Sequence, residues 1–180
     1  MTQTSFVSAM GAAVTGVNVV TTEGAMGRLG LTVSSMASVS AAPPMLLVCI
    51  DRRSAIVRAI QAHRVFAVNA LGVRQAAVAE TFAGRLQVGE PYDFGVASWE
   101  RGATGLPLLV GAAARFECLV ASVHDAGTHT IVVGDVMASD RSPVRALAYS
   151  RRTYARPVPL TTGRVPGRAE RSRRPRPVSA

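Results

Sequence analysis

Apolar positions along this chain come mostly in short alternating or β-branched runs, and three stretches carry a helical period instead. Residues 4–13 (TSFVSAMGAA) place Phe6, Val7, Met10 and Ala13 near helical spacing behind Thr4 as a cap, which predicts a short N-terminal helix. Thr15-Gly16 opens VNVVTT, a β-branched strand, and Glu23-Gly24 predicts the turn into a second strand from Arg28 to Ser35. Ala42-Pro43-Pro44 withholds backbone donors and predicts an extended corner, followed by the buried strand MLLVCI. Ser54 is positioned to cap a helix from Ala55 to His63, with Ile56, Val57 and Ile60 on one face. VFAVNAL reads as a strand, and Val73 to Phe82 as a helix closed by Ala83-Gly84. Residues 86–108, punctuated by Pro and Gly, predict a long loop. Three strand-like runs follow: Ala112 to His124, Thr128 to Ala138 and Ala146 to Tyr149, the first two joined at Asp125-Ala126-Gly127.

Strand–helix alternation is not sustained, so a doubly wound sheet is disfavoured. The inventory predicts a mostly β fold with helical additions, arranged as a small antiparallel barrel. Residues 1–160 form one domain on this reading. From 161 the chain alternates Arg, Pro, Gly, Ser and Thr without apolar periodicity, so residues 161–180 are expected to be a disordered Arg/Pro-rich tail.

Charge changes the picture less than its total suggests. The formal net charge is +9, but residues 151–180 hold nine Arg against one Glu, while residues 1–150 hold eleven Arg against ten acids. The body is therefore nearly neutral. All twenty basic residues are Arg, which suits a coding bias better than a phosphate-tracking surface, so no nucleic-acid partner is expected. No apolar run reaches the roughly 18–20 residues of a membrane span. The N-terminus MTQTSFVSAM lacks a basic region followed by an apolar core, which makes the cytoplasm the expected location. Cys49 and Cys118 sit in apolar strands without metal or redox spacing and read as buried thiols. His63, His124 and His129 share no metal-ligand spacing, and no GxGxxG, P-loop or nucleophile elbow occurs.

Four segments offer candidate chemistry. In GLTVSS (30–35), Thr32, Ser34 and Ser35 present hydroxyls, either toward a ligand or as decoration of an exposed strand face. In IDRRS (50–54), Ser54 lies at a helix N-terminus where free N–H groups and the dipole favour an anion, beside Arg52 and Arg53. Asp51 is an odd neighbour for a phosphate and is equally suited to orient an arginine. In TFAGR (81–85), Arg85 is placed either to fold back onto a phosphate or to neutralise a helix C-terminus. His129 opens a strand after a tight turn, where it either touches a bound ring or is simply exposed.

Taken together, TGV at 15–17, GLTVSSMASVSAAPPMLLVCIDRRS at 30–54, FAVNAL at 66–71, ETFAGR at 80–85 and AGTHTIVVGDV at 126–136 resemble, in order, the flavin reductase family. These are the small NAD(P)H:flavin oxidoreductases of two-component flavin-dependent monooxygenases. Tyr149 and Tyr154 resemble the family's closing aromatic segment. The resemblance implies a split β-barrel: an FMN-binding, Greek-key-like antiparallel barrel. It implies FMN or FAD as flavin, NADH or NADPH as reductant, a homodimer with flavin near the subunit interface, and a monooxygenase that receives the reduced flavin. By position, Thr32, Val33, Ser34 and Ser35 would line the isoalloxazine and ribityl chain, largely through backbone groups, with Cys49, Ile50 and Asp51 beside the ring. Ser54 with Arg53 would hold the phosphate, approached by Arg85 from the Phe82-Ala83-Gly84-Arg85 segment. His129 and Tyr154 would face the nicotinamide. Ala55 departs from the pattern, since another hydroxyl is common there. A flavin-binding protein of the same barrel without reductase turnover is the alternative.

Overall fold

The computed structural model describes residues 2–85 and 90–160; the expected tail, 161–180, and positions 86–89 of the expected loop lie outside the described residues. The chain runs α1 (Gln3–Ala12), β1 (Thr15–Gly16), β2 (Asn18–Gly24), β3 (Gly27–Val33), β4 (Ala37–Ala41), β5 (Pro44–Asp51), α2 (Ala55–His63) and β6 (Val65–Ala70). It continues with α3 (Ala76–Phe82), a 3-10 turn (Phe94–Val96), β7 (Trp99–Arg101), β8 (Pro107–Leu109), β9 (Ala114–Ala126), β10 (His129–Arg141), β11 (Ala148–Ser150) and β12 (Thr153–Ala155).

Seven of these strands form one antiparallel sheet in the order β3–β2–β6–β9–β10–β5–β4. The hairpins β2–β3 and β4–β5 therefore occupy opposite edges. Only Ser34, Ser35 and Met36 connect those edges along the chain, so the sheet curls into a barrel whose seam is split between β3 and β4. Inside lie Val20, Val48, Ile50, Phe66, Val68 and Val132, each at most 1% exposed. The apolar face of α2, with Ile56, Val57 and Ile60, packs into this cluster as its helical period predicts. A second cluster joins Val19, Leu71, Val78, Phe82 and Leu109 under α3, with Tyr149 and Tyr154 packed against its edge. A small sheet of β1, β11 and β12 carries those two tyrosines.

Several expectations need correction. Thr2, not Thr4, caps α1, its hydroxyl accepting Ser5 N–H at 3.2 Å. The β2–β3 turn falls at Ala25-Met26, inside the pair Gly24↔Gly27, because the His63 ring of α2 lies against Gly24 and accepts Met26 N–H at 3.1 Å. The Pro-Pro corner is a tight hairpin with Ala41 paired to Pro44 and a cis Ala42–Pro43 bond. It joins a strand the apolar pattern does not reveal, since β4 (ASVSA) is small, polar and mostly exposed. MLLVCI is half-buried: Leu46, Val48 and Ile50 face inward, while Leu47 and Cys49 are partly exposed. Helix α3 begins at Ala76, because Val73 N–H bonds to Arg145 and the Gln75 side chain bridges Gly72 N–H and the Val110 carbonyl. The expected loop contains the β7–β8 hairpin. The β9–β10 turn is Gly127-Thr128, with His129 already paired to Ala126.

Candidate functional site

Strand β3 is a sheet edge, and α3 crosses beside it: the Thr32 hydroxyl donates to the Ala79 carbonyl at 2.8 Å. The turn after α3 reverses the chain at Gly84, whose φ of +66 suits a residue without Cβ. Ala83 and Arg85 then face the end of β3. From the opposite side come Tyr149 and Tyr154, paired across β11 and β12 with ring centroids 5.3 Å apart at 60°. These segments enclose a cleft of about 110 Å3, lined also by Val17, Val33, Ser34 and Arg85.

The Tyr154 hydroxyl donates to a Glu80 carboxylate oxygen on α3. Burial first, then that carboxylate, push the Tyr154 hydroxyl well above the usual phenol range, so it remains a donor at neutral pH. The β11–β12 hairpin is in this way tied to α3 by a side chain as well as by packing.

A second cavity, of about 280 Å3, lies along the other part of β3, between Gly30 and Leu31, the first turn of α2, and Tyr92. Ser54 occupies the N-cap of α2 with extended backbone (φ −67, ψ 134), yet its hydroxyl makes no capping hydrogen bond among the described residues. That leaves a hydroxyl and the first N–H groups of a nine-residue helix facing a cavity, a donor set suited to an anion. Arg28 borders the same cavity, held by Glu23 at 3.1 Å and lying 5.2 Å above the Phe94 ring.

Of the residues singled out from the sequence, Thr32, Val33, Ser34, Ala83, Arg85 and Tyr154 meet in the cleft. Ser54 lines the neighbouring cavity. The rest are placed otherwise. The Thr32 and Ser35 hydroxyls are committed to protein partners, Ser35 to both backbone groups of Cys49, so neither hydroxyl is a free donor. Ile50 is 1% exposed and Phe82 fully buried, the latter edge-on to Phe94 at 4.9 Å and to Trp99 at 5.6 Å; both side chains belong to the core. Arg53 turns back onto Asp51 (2.7 Å) rather than toward Ser54, and it holds the Asp51 carboxyl far below the usual carboxylate range. The arginine-orienting role for Asp51 is the one observed. Gly84 lies beneath Tyr92, whose hydroxyl would be 2.7 Å from a Cβ added there. His129 is exposed, bonded to the Thr128 hydroxyl and paired across the ladder with Asp51; it does not line the cleft.

Glu80 and Tyr92 escaped the sequence reading. Glu80 heads ETFAGR, but its partner is 74 residues away, and no local pattern links the two. Tyr92 follows the positions outside the described residues and reaches the site through a positive φ of 63. Among the described residues no His, Cys, Asp or Glu cluster is arranged to hold a metal ion, and no helix is long and apolar enough to cross a membrane.

The model of the flavin reductase like domain matches residues 10–157 of this chain. The FMN reductase (NADH) RutF 1 of Methylorubrum extorquens is 39% identical over 173 residues, covering 96% of this chain and 84% of that protein. The NADH:FAD oxidoreductase SgcE6 of Streptomyces globisporus, solved with NAD and FAD fragments, superposes with a TM-score of 0.79 at 30% identity, over 88% of this chain and 94% of that one. The styrene monooxygenase flavin reductase SMOB of Pseudomonas putida superposes with a TM-score of 0.75 at 29% identity, over 86% of this chain and 99% of its own. The chain belongs to the flavin reductase family and has its split-barrel fold.

Proposed function

We propose that this member of the flavin reductase family is an NADH-dependent flavin oxidoreductase that reduces FMN or FAD and passes the reduced flavin to a partner monooxygenase. The observation that carries the reading is the cleft at the β3 edge. There the end of β3, the Ala83–Arg85 turn and a tyrosine pair converge from distant parts of the chain, with a Ser54 hydroxyl that has no hydrogen-bond partner among the described residues at a helix N-terminus along the same strand.

The donor set fits a flavin. The backbone groups of Thr32 to Ser34 would border a planar ring beside the Val17 and Val33 side chains, and Tyr149 and Tyr154 supply the facing wall. Ser54 with the first N–H groups of α2 would hold the phosphate, and Arg85 would add a charge-assisted donor. Arg53, committed to Asp51, contributes less than its sequence position suggests. When bound, the flavin supplies the chemistry, accepting a hydride from the nicotinamide. The chain's own part is to stack and orient the two rings and to exclude water from between them. This division of labour requires neither an acid–base pair nor a nucleophile from the protein. A pocket of backbone groups and few side-chain donors also suits a flavin that must leave after reduction.

The test is anaerobic mixing of the protein with NADH and excess free FMN. Bleaching of the flavin colour over many turnovers is expected. A protein that holds flavin but gives no bleaching with either nicotinamide would be the non-catalytic flavin binder instead.

The working unit is a homodimer on this proposal. Support comes from α1, which buries none of its residues: Phe6, Val7 and Met10 are each at least 50% exposed. Beside it a groove of about 750 Å3 runs to Arg151 and Arg152, wide enough to seat part of a second copy. Residues 1–160 form the catalytic domain. Two unpaired cysteines, one of them fully buried, support a reducing compartment such as the cytoplasm.

A further inference from the structure

Glu80 does not line the cleft, yet it touches both of its walls. Its carboxylate accepts the hydroxyl of Tyr154 on one side. On the other, its main-chain carbonyl accepts the N–H groups of Ala83 (3.2 Å) and Arg85 (3.1 Å), the turn that forms the opposing wall. Apart from its packing against the second cluster and Tyr149, the Tyr154 wall rests on a short ribbon. Strand β12 is three residues long and, among the described residues, pairs only with β11, itself three residues long. Such a short edge ribbon is marginal alone. The turn leading into it, Arg151-Arg152, has two consecutive positive φ values of 50 and 62, a conformation that costs non-glycine residues energy. A hairpin of this kind needs an external tie, and the Glu80 carboxylate is one.

We propose that Glu80 is a positioning residue that sets the width of the cleft, holding Tyr154 with its side chain and the Ala83–Arg85 turn with its main chain. The inference rests on the reading of the cleft as the place where the planar rings bind. Glu80 takes no part in the chemistry. It acts through Tyr154, keeping that ring against Tyr149 so that a planar ligand meets a preformed wall rather than one it must order on binding.

The test measures FMN affinity directly, by quenching of flavin fluorescence, together with the thermal unfolding of each variant. Glu80→Ala and Tyr154→Phe each remove the same hydrogen bond, and each is expected to weaken FMN binding about tenfold. The double variant should be no weaker than either single one, because both act on one contact. Glu80→Gln, whose amide oxygen still accepts, should recover most of the affinity. In turnover, KM for FMN rises by the same factor. Tyr154→Phe leaves α3 intact and decides the matter if Glu80→Ala fails to fold. Ser34→Trp, which fills the cleft, serves as the control for the site itself. If Ser34→Trp abolishes FMN binding while Tyr154→Phe stays within twofold of the parent, the site stands and the positioning role is overturned. If Ser34→Trp binds FMN normally, the reading of the cleft fails, and the proposal with it.

Discussion

One hydroxyl carries the β4–β5 ladder past the end of β4: Ser35 Oγ accepts Cys49 N–H at 3.0 Å and donates to the Cys49 carbonyl at 2.7 Å. The β4–β5 ladder pairs Ala37 with Leu47, and continuing that register by two residues sets Ser35 opposite Cys49. The chain has already left β4 there, and the side chain supplies the donor and acceptor that the backbone no longer provides. Ser35→Ala strands both Cys49 groups at the split. A loss of about 1–3 kcal/mol is expected, read as a lower urea midpoint, whereas Ser34→Ala should leave the midpoint unchanged.

Ser54 should separate binding from stability. An N-cap serine normally costs about 0.5–2 kcal/mol when replaced by alanine, because its hydroxyl caps the helix. Here no such bond forms among the described residues, so Ser54→Ala should leave the thermal midpoint nearly unchanged. Titration with FMN should show affinity reduced about tenfold, the loss of one charge-assisted contact. Riboflavin, which lacks the phosphate, should bind both proteins alike. Equal FMN affinity in the variant would move the phosphate elsewhere.

The two thiols should differ in reactivity. Cys118 is fully buried, and burial, assisted by the nearby Asp135 and Glu117, pushes its thiol up to about 12 from 9.0. Dithionitrobenzoate should therefore modify one thiol, Cys49, in the native protein and two in denaturant. The folded state holds the Cys118 proton more tightly than the unfolded chain, so this group's contribution is complete below about pH 9 and falls as pH rises toward 12. Cys118→Ala should flatten the alkaline limb of a stability–pH profile. An unchanged limb would show that other groups cause it.

Gly30 lies in the β3 edge against Phe82, and a Cβ there would come within 2.5 Å of the Phe82 ring. Phe82 cannot yield easily, since Phe94 and Trp99 pack on it edge-on. Gly30→Ala should cost about 1–3 kcal/mol through overpacking. The displacement should appear in the emission of Trp99, the protein's single tryptophan.

Charge on the exposed face of α1 tests the homodimer. Phe6→Glu combined with Met10→Glu should convert the protein to monomers in sedimentation velocity, with little change in far-UV circular dichroism. A parent protein that already sediments as a monomer would end that proposal.

Much of the barrel was legible because its strands are β-branched and its longest amphipathic helix is regular. Val65–Ala70, the helix Ala55–His63 and the body of β2 up to Thr22 follow directly from those patterns. The pattern failed where side chains are small or where a distant group decides. Strand β4 shows no apolar alternation because it is mostly exposed, and β12 pairs through a turn of two arginines that no turn rule favours. The β2–β3 turn moved by two residues because His63, on another element, accepts Met26 N–H.

By itself the sequence determined the segments: which runs are strands, where α2 starts, that the charge concentrates near the C-terminus, and that GLTVSS, IDRRS and ETFAGR are the stretches to watch. It settled these because periodicity, capping residues and composition act over a few neighbouring positions. What each polar group does within those stretches was decided by tertiary structure. Thr32 and Ser35 are spent on the fold, Arg53 on Asp51, and Phe82 on the core, while Ser54 keeps its hydroxyl and Glu80 gains a partner from the far end of the domain. A hydrogen bond depends on a separation of about 3 Å, and only the folded chain determines which residues come that close.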